Sequence, residues 1–116
     1  MVKCMISVRV QNFNAEAGFV KLFALGFLPR PGDVFYINET ALPVEFVTYD
    51  LDDDEAFVAL KKIPSSSPDL TPPTETLQWL RDRNWLFVQR DCERAHGFKE
   101  LQAEITRLKF EEQSDE

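Results

Sequence analysis

The chain has 116 residues, of which 44% are hydrophobic, and it contains ten phenylalanines. This length and composition indicate one domain with a substantial apolar core, and they exclude a disordered chain. The net charge of −7 and the scattered lysines and arginines disfavour direct binding of nucleic acid, because a phosphate-binding face needs clustered cations.

The sequence also predicts a cytoplasmic protein that stays out of the membrane. Its two cysteines, Cys4 and Cys92, are fewer than a small secreted disulfide scaffold would carry. Residues 1–13 alternate in polarity and lack the apolar stretch of a signal peptide, and no run of roughly eighteen apolar residues occurs to span a bilayer. We therefore expect a reduced chain, and we predict no cofactor and no metal.

The beginning of the chain predicts two strands. Ile6, Val8 and Val10 alternate with polar residues, which is the period of a strand with one face in the core. The segment 14–18 (NAEAG) has turn chemistry, because asparagine and glycine both adopt the backbone angles that turns need. The apolar run at 19–27 (FVKLFALGF) is short and contains a glycine, which favours a central strand over a helix.

Proline and glycine mark the next turn, at residues 29–33 (PRPGD), whose central Pro-Gly pair suits a type II turn. Pro43 is expected to open a later strand, in which Val44, Phe46 and Thr48 share one face. Three further strands are predicted in this part of the chain, at residues 34–38, 43–49 and 56–63.

Short turns between consecutive strands favour antiparallel pairing, so we expect a β-meander over residues 1–63 that curls into a roll or a partly open barrel. The proline- and serine-rich segment 64–73 is expected to cross the surface as a strap. The remaining predicted elements are a helix near 74–83, a strand at 85–90, a helix near 98–111 and a frayed tail at 113–116. The predicted fold class is α+β, a curved antiparallel sheet of five to six strands with C-terminal helices packed on it, in a single domain of residues 1–112.

The last predicted helix has an amphipathic pattern. Its apolar residues recur at helical spacing and define one buried face, formed by Phe98, Leu101, Ile105 and Leu108. Its charged residues are assigned to the other faces, and they include Lys99, Glu100, Glu104 and Arg107. Gly97 is expected to separate this helix from the preceding segment. Thr71 is expected to cap the first helix, with Pro72 at its first position.

Five carboxylates fall within residues 50–55, between two apolar runs. Alternating aspartates match the first ligands of a calcium-binding loop, but Glu55 stands where that loop needs glycine and Lys61 where it needs a closing glutamate. We interpret the segment as the solvated tip of a hairpin, because neighbouring carboxylates repel one another and stay hydrated. The alternative is an acidic surface that contacts a basic partner, with the contact residues Asp52, Asp53 and Asp54.

Both tryptophans lie in the first predicted helix and the strand after it. Leu77 and Leu80 share one helical face, and Trp79 projects from a different one. Tryptophan together with arginine is the composition of binding hot spots. We therefore predict a partner-binding site that consists of Trp79, Arg81, Arg83 and Trp85. The alternative is that Trp79 packs across the sheet and leaves its N–H in solvent.

The sequence shows no catalytic constellation. His96 is the only histidine, and Cys92 would share its face on a continuous helix. We interpret this pair as a coincidence, because a zinc site needs four ligands and a nucleophile needs a positioned base. The chain also lacks a phosphate-binding glycine loop and a nucleophile elbow.

These observations favour a non-catalytic cytoplasmic protein-binding or regulatory module, which binds another protein or a second copy of itself. Two alternatives are open. The first is a small-molecule-binding barrel or roll, with a pocket lined by Phe19, Phe23, Phe35 and Phe46. The second is an acidic inhibitor or immunity-type protein that occupies the basic cleft of an enzyme.

Overall fold

The computed structural model describes residues 1–64, 71–90 and 95–112. The strands and helices in these ranges are, in chain order, β1 (Val2–Asn12), β2 (Ala15–Leu25), β3 (Val34–Ile37), β4 (Thr40–Asp50), β5 (Glu55–Leu60), α1 (Thr74–Asp82), β6 (Leu86–Arg90) and α2 (Phe98–Leu108). The strands form one sheet in the order β3-β4-β5-β1-β2-β6, which curls into a half-barrel. The predicted α+β class, with a curved sheet and C-terminal helices, is confirmed.

The order of the strands departs from the predicted meander. β1 lies in the interior of the sheet, with β2 antiparallel on one side and β5 parallel on the other. β2 and β3 are not neighbours, because the segment between them carries the chain to the far edge of the sheet. This segment contains Pro29 and Pro31, which lack N–H groups and cannot support a further strand beside β2. The sheet is therefore mixed, and the parallel pairing of β1 with β5 joins the β1–β2 hairpin to a β3–β4–β5 meander.

The first turn lies earlier than the predicted one. Phe13 and Asn14 connect β1 to β2, and Ala15 already pairs in the hairpin. The backbone N–H groups of Asn14 and Ala15 donate to the carbonyl oxygen of His96 at 3.0 and 3.1 Å, and Phe13 has a φ of 54°. A contact with the distant His96 thus holds this tight turn, so most of the predicted turn at 14–18 belongs to β2.

The next two turns are tight and contain residues with a positive φ. In the predicted type II turn, the N–H of Asp33 donates to the carbonyl oxygen of Arg30 at 3.0 Å, and Gly32 has a φ of 93°. Asn38 and Glu39 connect β3 to β4 with φ values of 47° and 67°, which is the pattern of a tight hairpin. These two tight turns set the beginning and the end of β3.

A β-bulge in β4 reverses part of the predicted pattern. The pairing of β4 with β5 shifts register between Val44 and Phe46, and the extra residue interrupts the alternation of side chains. Val44 is 3% exposed in the core, whereas Phe46 is 48% exposed beside Phe57. The prediction that Val44 and Phe46 share a face is wrong. Pro43 lies inside β4 rather than at its first residue.

The core lies on the concave face of the sheet, where the helices cover it. Alternate side chains of β1 are buried there, and they belong to the same apolar cluster as Leu77 and Leu80 of α1. The predicted apolar stripe of α2 is confirmed, because all of its members are buried in this cluster; they are Phe98, Leu101, Ile105 and Leu108.

The first helix begins at residue 74, as predicted, but its N-terminus is not capped as predicted. α1 begins at Thr74, with Pro73 at the N-cap position and without a capping side chain. Two successive prolines restrict the backbone before this helix. Thr71 is therefore not its cap, and Pro72 lies ahead of the helix rather than at its first position.

One charged residue of α2 is buried, which the sequence did not indicate. Glu104 is 9% exposed, and its carboxylate accepts hydrogen bonds from the hydroxyl of Thr74 and from Nε of Arg107. The bond from Arg107, assisted by the one from Thr74, holds the pKa of Glu104 below its usual 4.5. Glu104 thus joins α2 to the first residue of α1, and it is buried although it lies outside the apolar stripe of the helix.

Gly97 occupies a position that only glycine fits. It precedes α2 with a φ of 91°, and a Cβ atom there would lie 2.3 Å from the backbone carbonyl oxygen of Asn12. The side-chain amide of Asn12 in turn donates to the carbonyl oxygen of Gly97 at 2.9 Å. This close approach holds the start of α2 against the end of β1, and the predicted break at Gly97 is confirmed.

Three predictions concern residues outside the described ranges. They are most of the strap at 64–73, the segment that contains Cys92, and the tail at 113–116. Among the residues that the structure does describe, no helix is both long and apolar enough to cross a membrane.

We expect Gly97→Ala to lower the free energy of unfolding by at least about 2 kcal/mol, because the methyl group strains the backbone and collides with Asn12. Gly26→Ala is the matched control, since a Cβ atom at Gly26 meets nothing within 4 Å. The control should change stability by less than about 0.5 kcal/mol. Urea unfolding followed by circular dichroism measures both variants, and equal stabilities would contradict the placement of Gly97.

We expect Glu104→Gln to lower the free energy of unfolding by about 1 to 2 kcal/mol at pH 7, because the charged hydrogen bonds are lost. A carboxyl group whose pKa is lowered by folding stabilises the protein above its unfolded-state pKa. The difference from the wild type should therefore shrink as the pH falls through 4.5 and vanish below the lowered pKa. Urea unfolding at pH values from about 2.5 to about 7 measures the effect. Glu100→Gln is the matched substitution on the same helix, and an identical pH dependence in both variants would exclude this role for Glu104.

Candidate functional site

An open groove of about 430 Å³ lies on the open side of the half-barrel, where β3 faces α1. We call it the aromatic groove. It contains residues from the concave face of the sheet and from one side of α1. Its aromatic side chains are Phe23, Phe35, Tyr36, Trp79 and Trp85.

The floor of the aromatic groove is built from β2 and from the residue before β6. Phe23 pairs with the buried Cys4 across the hairpin, so the two side chains lie on the same, concave face. The ring of Phe23 lies 5.9 Å from the ring of Trp85, which is only 3% exposed. Trp85 therefore belongs to the core and supports the groove from below.

The rim of the groove is an arginine stacked on a tryptophan. Trp79 and Arg83 are four residues apart, which places them on the same side of the α1 end. The guanidinium carbon of Arg83 lies 4.2 Å from the ring centre of Trp79, and its Nη1 donates to the carbonyl oxygen of Trp79 at 3.3 Å. Such a cation–π contact orders both side chains at the edge of the groove.

A second cation approaches the same rim from the sheet. Lys21 pairs with Ile6 across the hairpin, so it lies on the concave face. Its Nζ donates to the carbonyl oxygen of Arg83 at 2.6 Å and lies 5.4 Å from the ring centre of Phe23. Within the described ranges, neither Lys21 nor Arg83 forms an ion pair with a carboxylate, and no acidic residue lines the groove. The groove is therefore locally positive in a chain of net charge −7.

Arg81 has a different role from Arg83. Its Nε donates to the carbonyl oxygens of Leu108 and Lys109, at 2.9 and 3.0 Å. These carbonyls lie at the C-terminal end of α2, where backbone acceptors lack helical partners. Of the four residues predicted as one Trp/Arg site, three line the groove and Arg81 instead joins the two helices.

The acidic residues form the hairpin tip that the sequence predicts. Residues 51–54 are exposed turn residues between β4 and β5. The carboxylate of Asp50 accepts the backbone N–H groups of Asp52 and Asp53 at 2.9 and 3.2 Å. The hydroxyl of Tyr49 donates to the carboxylate of Asp54, a bond that raises the pKa of Tyr49. Contact of this tip with a basic partner stays a prediction, and no cluster of metal-ligating side chains occurs in the described part of the chain.

The four phenylalanines of the predicted pocket separate in the structure. Phe23 and Phe35 line the aromatic groove. Phe19 is fully buried, with its ring 5.8 Å from Phe87 and 4.8 Å from Phe110. Phe46 lies on the opposite face of the sheet because of the bulge in β4. The pocket hypothesis and the Trp/Arg hypothesis therefore meet in one groove.

Sequence reasoning missed Lys21 and Tyr36 as members of this groove. For Lys21 a signal was present, because the period of a strand places it on the same face as Phe19 and Phe23. A charged residue on the apolar face of a strand needs a partner or an opening to solvent. Tyr36 lacked such a signal, because its neighbours depend on how far the sheet curls.

The outer face of the sheet is a second exposed apolar surface. Leu22, Phe46 and Phe57 are exposed there. An ion pair between Arg9 and Glu45, with an N–O distance of 3.2 Å, lies on the same face. Arg9 is thus paired with a carboxylate, unlike the two cations of the aromatic groove within the described ranges.

Comparison of the chain with protein-family models, with curated proteins and with solved structures returned no match. The chemistry of the groove itself therefore has to carry any inference about function.

We expect the two tryptophans to differ in their access to a quencher. Trp79 is half-buried at the rim, whereas Trp85 is buried. The fluorescence of the Trp85→Phe variant, which reports Trp79, should therefore be quenched more strongly by acrylamide than that of Trp79→Phe. Removing the stacked guanidinium with Arg83→Ala should increase the quenching of Trp79. Arg81→Ala is the matched control, and the placement fails if it has the same effect as Arg83→Ala.

Proposed function

We propose that this chain is a non-catalytic protein-binding module whose contact site is the aromatic groove. The observation that carries the proposal is the ordered Trp79–Arg83 stack at the rim of an open, aromatic groove. Tryptophan, tyrosine and arginine are the residues that most often supply the binding energy of protein interfaces. A rim that is already ordered loses little side-chain entropy when a partner binds.

The composition of the groove supports binding rather than catalysis. Its polar side chains in the described ranges are the cations Lys21 and Arg83 and the hydroxyl of Tyr36. General acid–base catalysis relies on groups such as histidine or a perturbed carboxyl, and nucleophilic catalysis on an activated serine, cysteine or similar group. Lysine and tyrosine can also act in such chemistry, but Lys21 donates to the carbonyl oxygen of Arg83, and no histidine, carboxylate, serine or cysteine lines the described groove.

The surface around the groove supports a macromolecular partner. Phe27 and Leu28 are exposed in the segment that leaves β2, and Val34 and Tyr36 are exposed on β3. Of these exposed side chains, Tyr36 also lines the groove, and the other three lie on the same segment of the chain. Contiguous exposed apolar surface marks interaction sites in soluble proteins.

A small-molecule ligand is the second candidate. The groove volume of about 430 Å³ falls within the usual range of ligand sites, and its lining is mainly apolar with two convergent cations. An apolar or aromatic carboxylic acid would match that lining. The open shape and the exposed apolar residues beside the groove favour the protein partner over this alternative.

We also infer that the chain acts in the cytoplasm. Cys4 is buried as a free thiol, and burial raises its pKa, which keeps the thiol protonated and unreactive. A thiol of this kind behaves as a small apolar side chain of the core and needs no oxidising compartment.

We expect a variant with Trp79→Ala and Arg83→Ala to lose its binding partners in a pull-down from lysate. Removal of a hot spot costs about 2 kcal/mol or more, which corresponds to a loss of affinity of about thirtyfold. The wild type and the variant are labelled and used as bait, after circular dichroism has shown that the same fraction of each is folded. The amounts of partner that they recover can then be compared quantitatively.

The matched control replaces an exposed apolar residue and an arginine on the outer face, as Leu22→Ala with Arg9→Ala. This control should retain the partners. Equal recovery of partners by the groove variant and the wild type would count against the groove as the contact site, and selective loss in the control would move the site to the outer face.

A further inference from the structure

We propose that the aromatic groove takes an extended peptide that carries a carboxylate, and that this peptide adds as a strand to the free edge of β3. The inference rests on the proposed binding function and specifies its partner. Strand addition obtains affinity from main-chain hydrogen bonds and specificity from pockets that receive alternate side chains.

The backbone of β3 offers unpaired groups along its outer edge. β3 is the first strand in the order of the sheet and has β4 as its only neighbour in the described structure. The N–H of Val44 donates to the carbonyl oxygen of Asp33 at 2.7 Å, which sets the alternation of the antiparallel pairing. The carbonyl of Asp33 and the backbone groups of Phe35 therefore face β4, and the N–H and C=O groups of Val34 and Tyr36 point away from it.

The exposure of the side chains agrees with a free edge. Val34 is 50% exposed and Tyr36 is 70% exposed, although both are in a strand. An exposed strand edge of this kind is a template for pairing with another chain. It also lacks the lysine or proline within the strand that commonly protects such an edge.

The other edge of the sheet, at β6, is covered by a segment of the chain itself. β6 is the last strand of the sheet, and the N–H of Phe87 donates to the carbonyl oxygen of Glu111 at 2.7 Å. A parallel bridge also forms between Phe87 and Glu112. An extended segment after α2 thus occupies the edge at β6, whereas none of the residues that the structure describes pairs with the outer edge of β3.

The curl of the sheet directs an added strand into the groove. β3 and α1 form opposite walls of the aromatic groove. A strand beside β3 continues the curvature and lies between these walls, because neighbouring strands are about 4.8 Å apart. Alternate side chains of that strand then point towards the floor, where Phe23 and Trp85 provide an apolar surface.

The charge of the rim selects a carboxylate. Lys21 and Arg83 converge at one end of α1, and neither is neutralised by a carboxylate in the described ranges. Hydrogen bonds from ammonium and guanidinium groups to a carboxylate are stronger than neutral ones. An aspartate or glutamate in the peptide, or its terminal carboxylate, would meet both cations.

The first experiment selects peptides from a displayed library of random octapeptides against the wild-type protein. A variant with Lys21→Met and Arg83→Met, which keeps the apolar stems, serves as the counter-selection bait. Enriched peptides should alternate apolar residues and carry an acidic residue. Replacing that residue by its amide should weaken binding to the wild type about tenfold or more and leave binding to the variant nearly unchanged. No enrichment, or enriched peptides without a carboxylate, would overturn the proposal.

The second experiment tests the strand pairing with backbone N-methylation of one enriched peptide. Alternate N–H groups of an added strand face β3. Methylating these residues should weaken binding about fivefold or more, whereas methylating the intervening residues, the matched control, should have a much smaller effect. Equal sensitivity at all positions would overturn strand addition.

Other occupants give different results. Binding of phenylacetate without binding of any peptide would assign the groove to small aromatic acids and overturn the peptide. A concentration-dependent dimer that Tyr36→Pro abolishes would assign the edge of β3 to a second copy. If the lysate partners require Trp79 and Arg83 but the library yields no peptide, the binding function stands and the strand-addition inference fails.

Discussion

The parallel pairing of β1 with β5 holds the two parts of the sheet together. β1 belongs to the hairpin with β2, and β5 ends the β3–β4–β5 meander. The pairing aligns Ile6 with Val58 in the core, and it continues beyond β5 where the N–H of Ile63 donates to the carbonyl oxygen of Arg9 at 2.8 Å. Because these interior strands are joined, β3 and β6 become the edges of the sheet. The position of the free edge at β3 follows from this arrangement.

The second constraint is the contact between the helices, which positions one wall of the groove. Glu104 binds the first residue of α1, and Arg81 binds the last carbonyls of α2, so α1 is held at both ends. Lys21 then joins the end of α1 to the sheet through the carbonyl of Arg83. These contacts between elements hold the side chains of the groove in place, which a binding site requires. Its positive charge acts at short range, because salt screens the negative field of the whole chain beyond about 8 to 10 Å.

Several members of the candidate site could be identified from the sequence, but their relation to one another could not. Trp79 lies outside the apolar face of its helix, which led to the Trp/Arg hypothesis with Trp79 and Arg83. The phenylalanines of the strands led to the pocket hypothesis, which included Phe23 and Phe35. Only the curl of the sheet brings these residues into one groove. Arg81 has the same local setting as Arg83, and its contact with the end of α2 depends on how two distant helices pack.

The sequence by itself determined the elements of this protein: strands from alternating polarity, the Pro-Gly turn before β3, and the buried stripe of α2. These features depend on backbone preferences and on the spacing of apolar residues, which act over a few neighbouring positions. The tertiary structure alone decided the strand order, the first turn at Phe13, the bulge in β4 and the burial of Glu104. Each of these depends on a partner far away in the chain. Short-range patterns contain no information about which distant backbone group or side chain will form the hydrogen bond or contact.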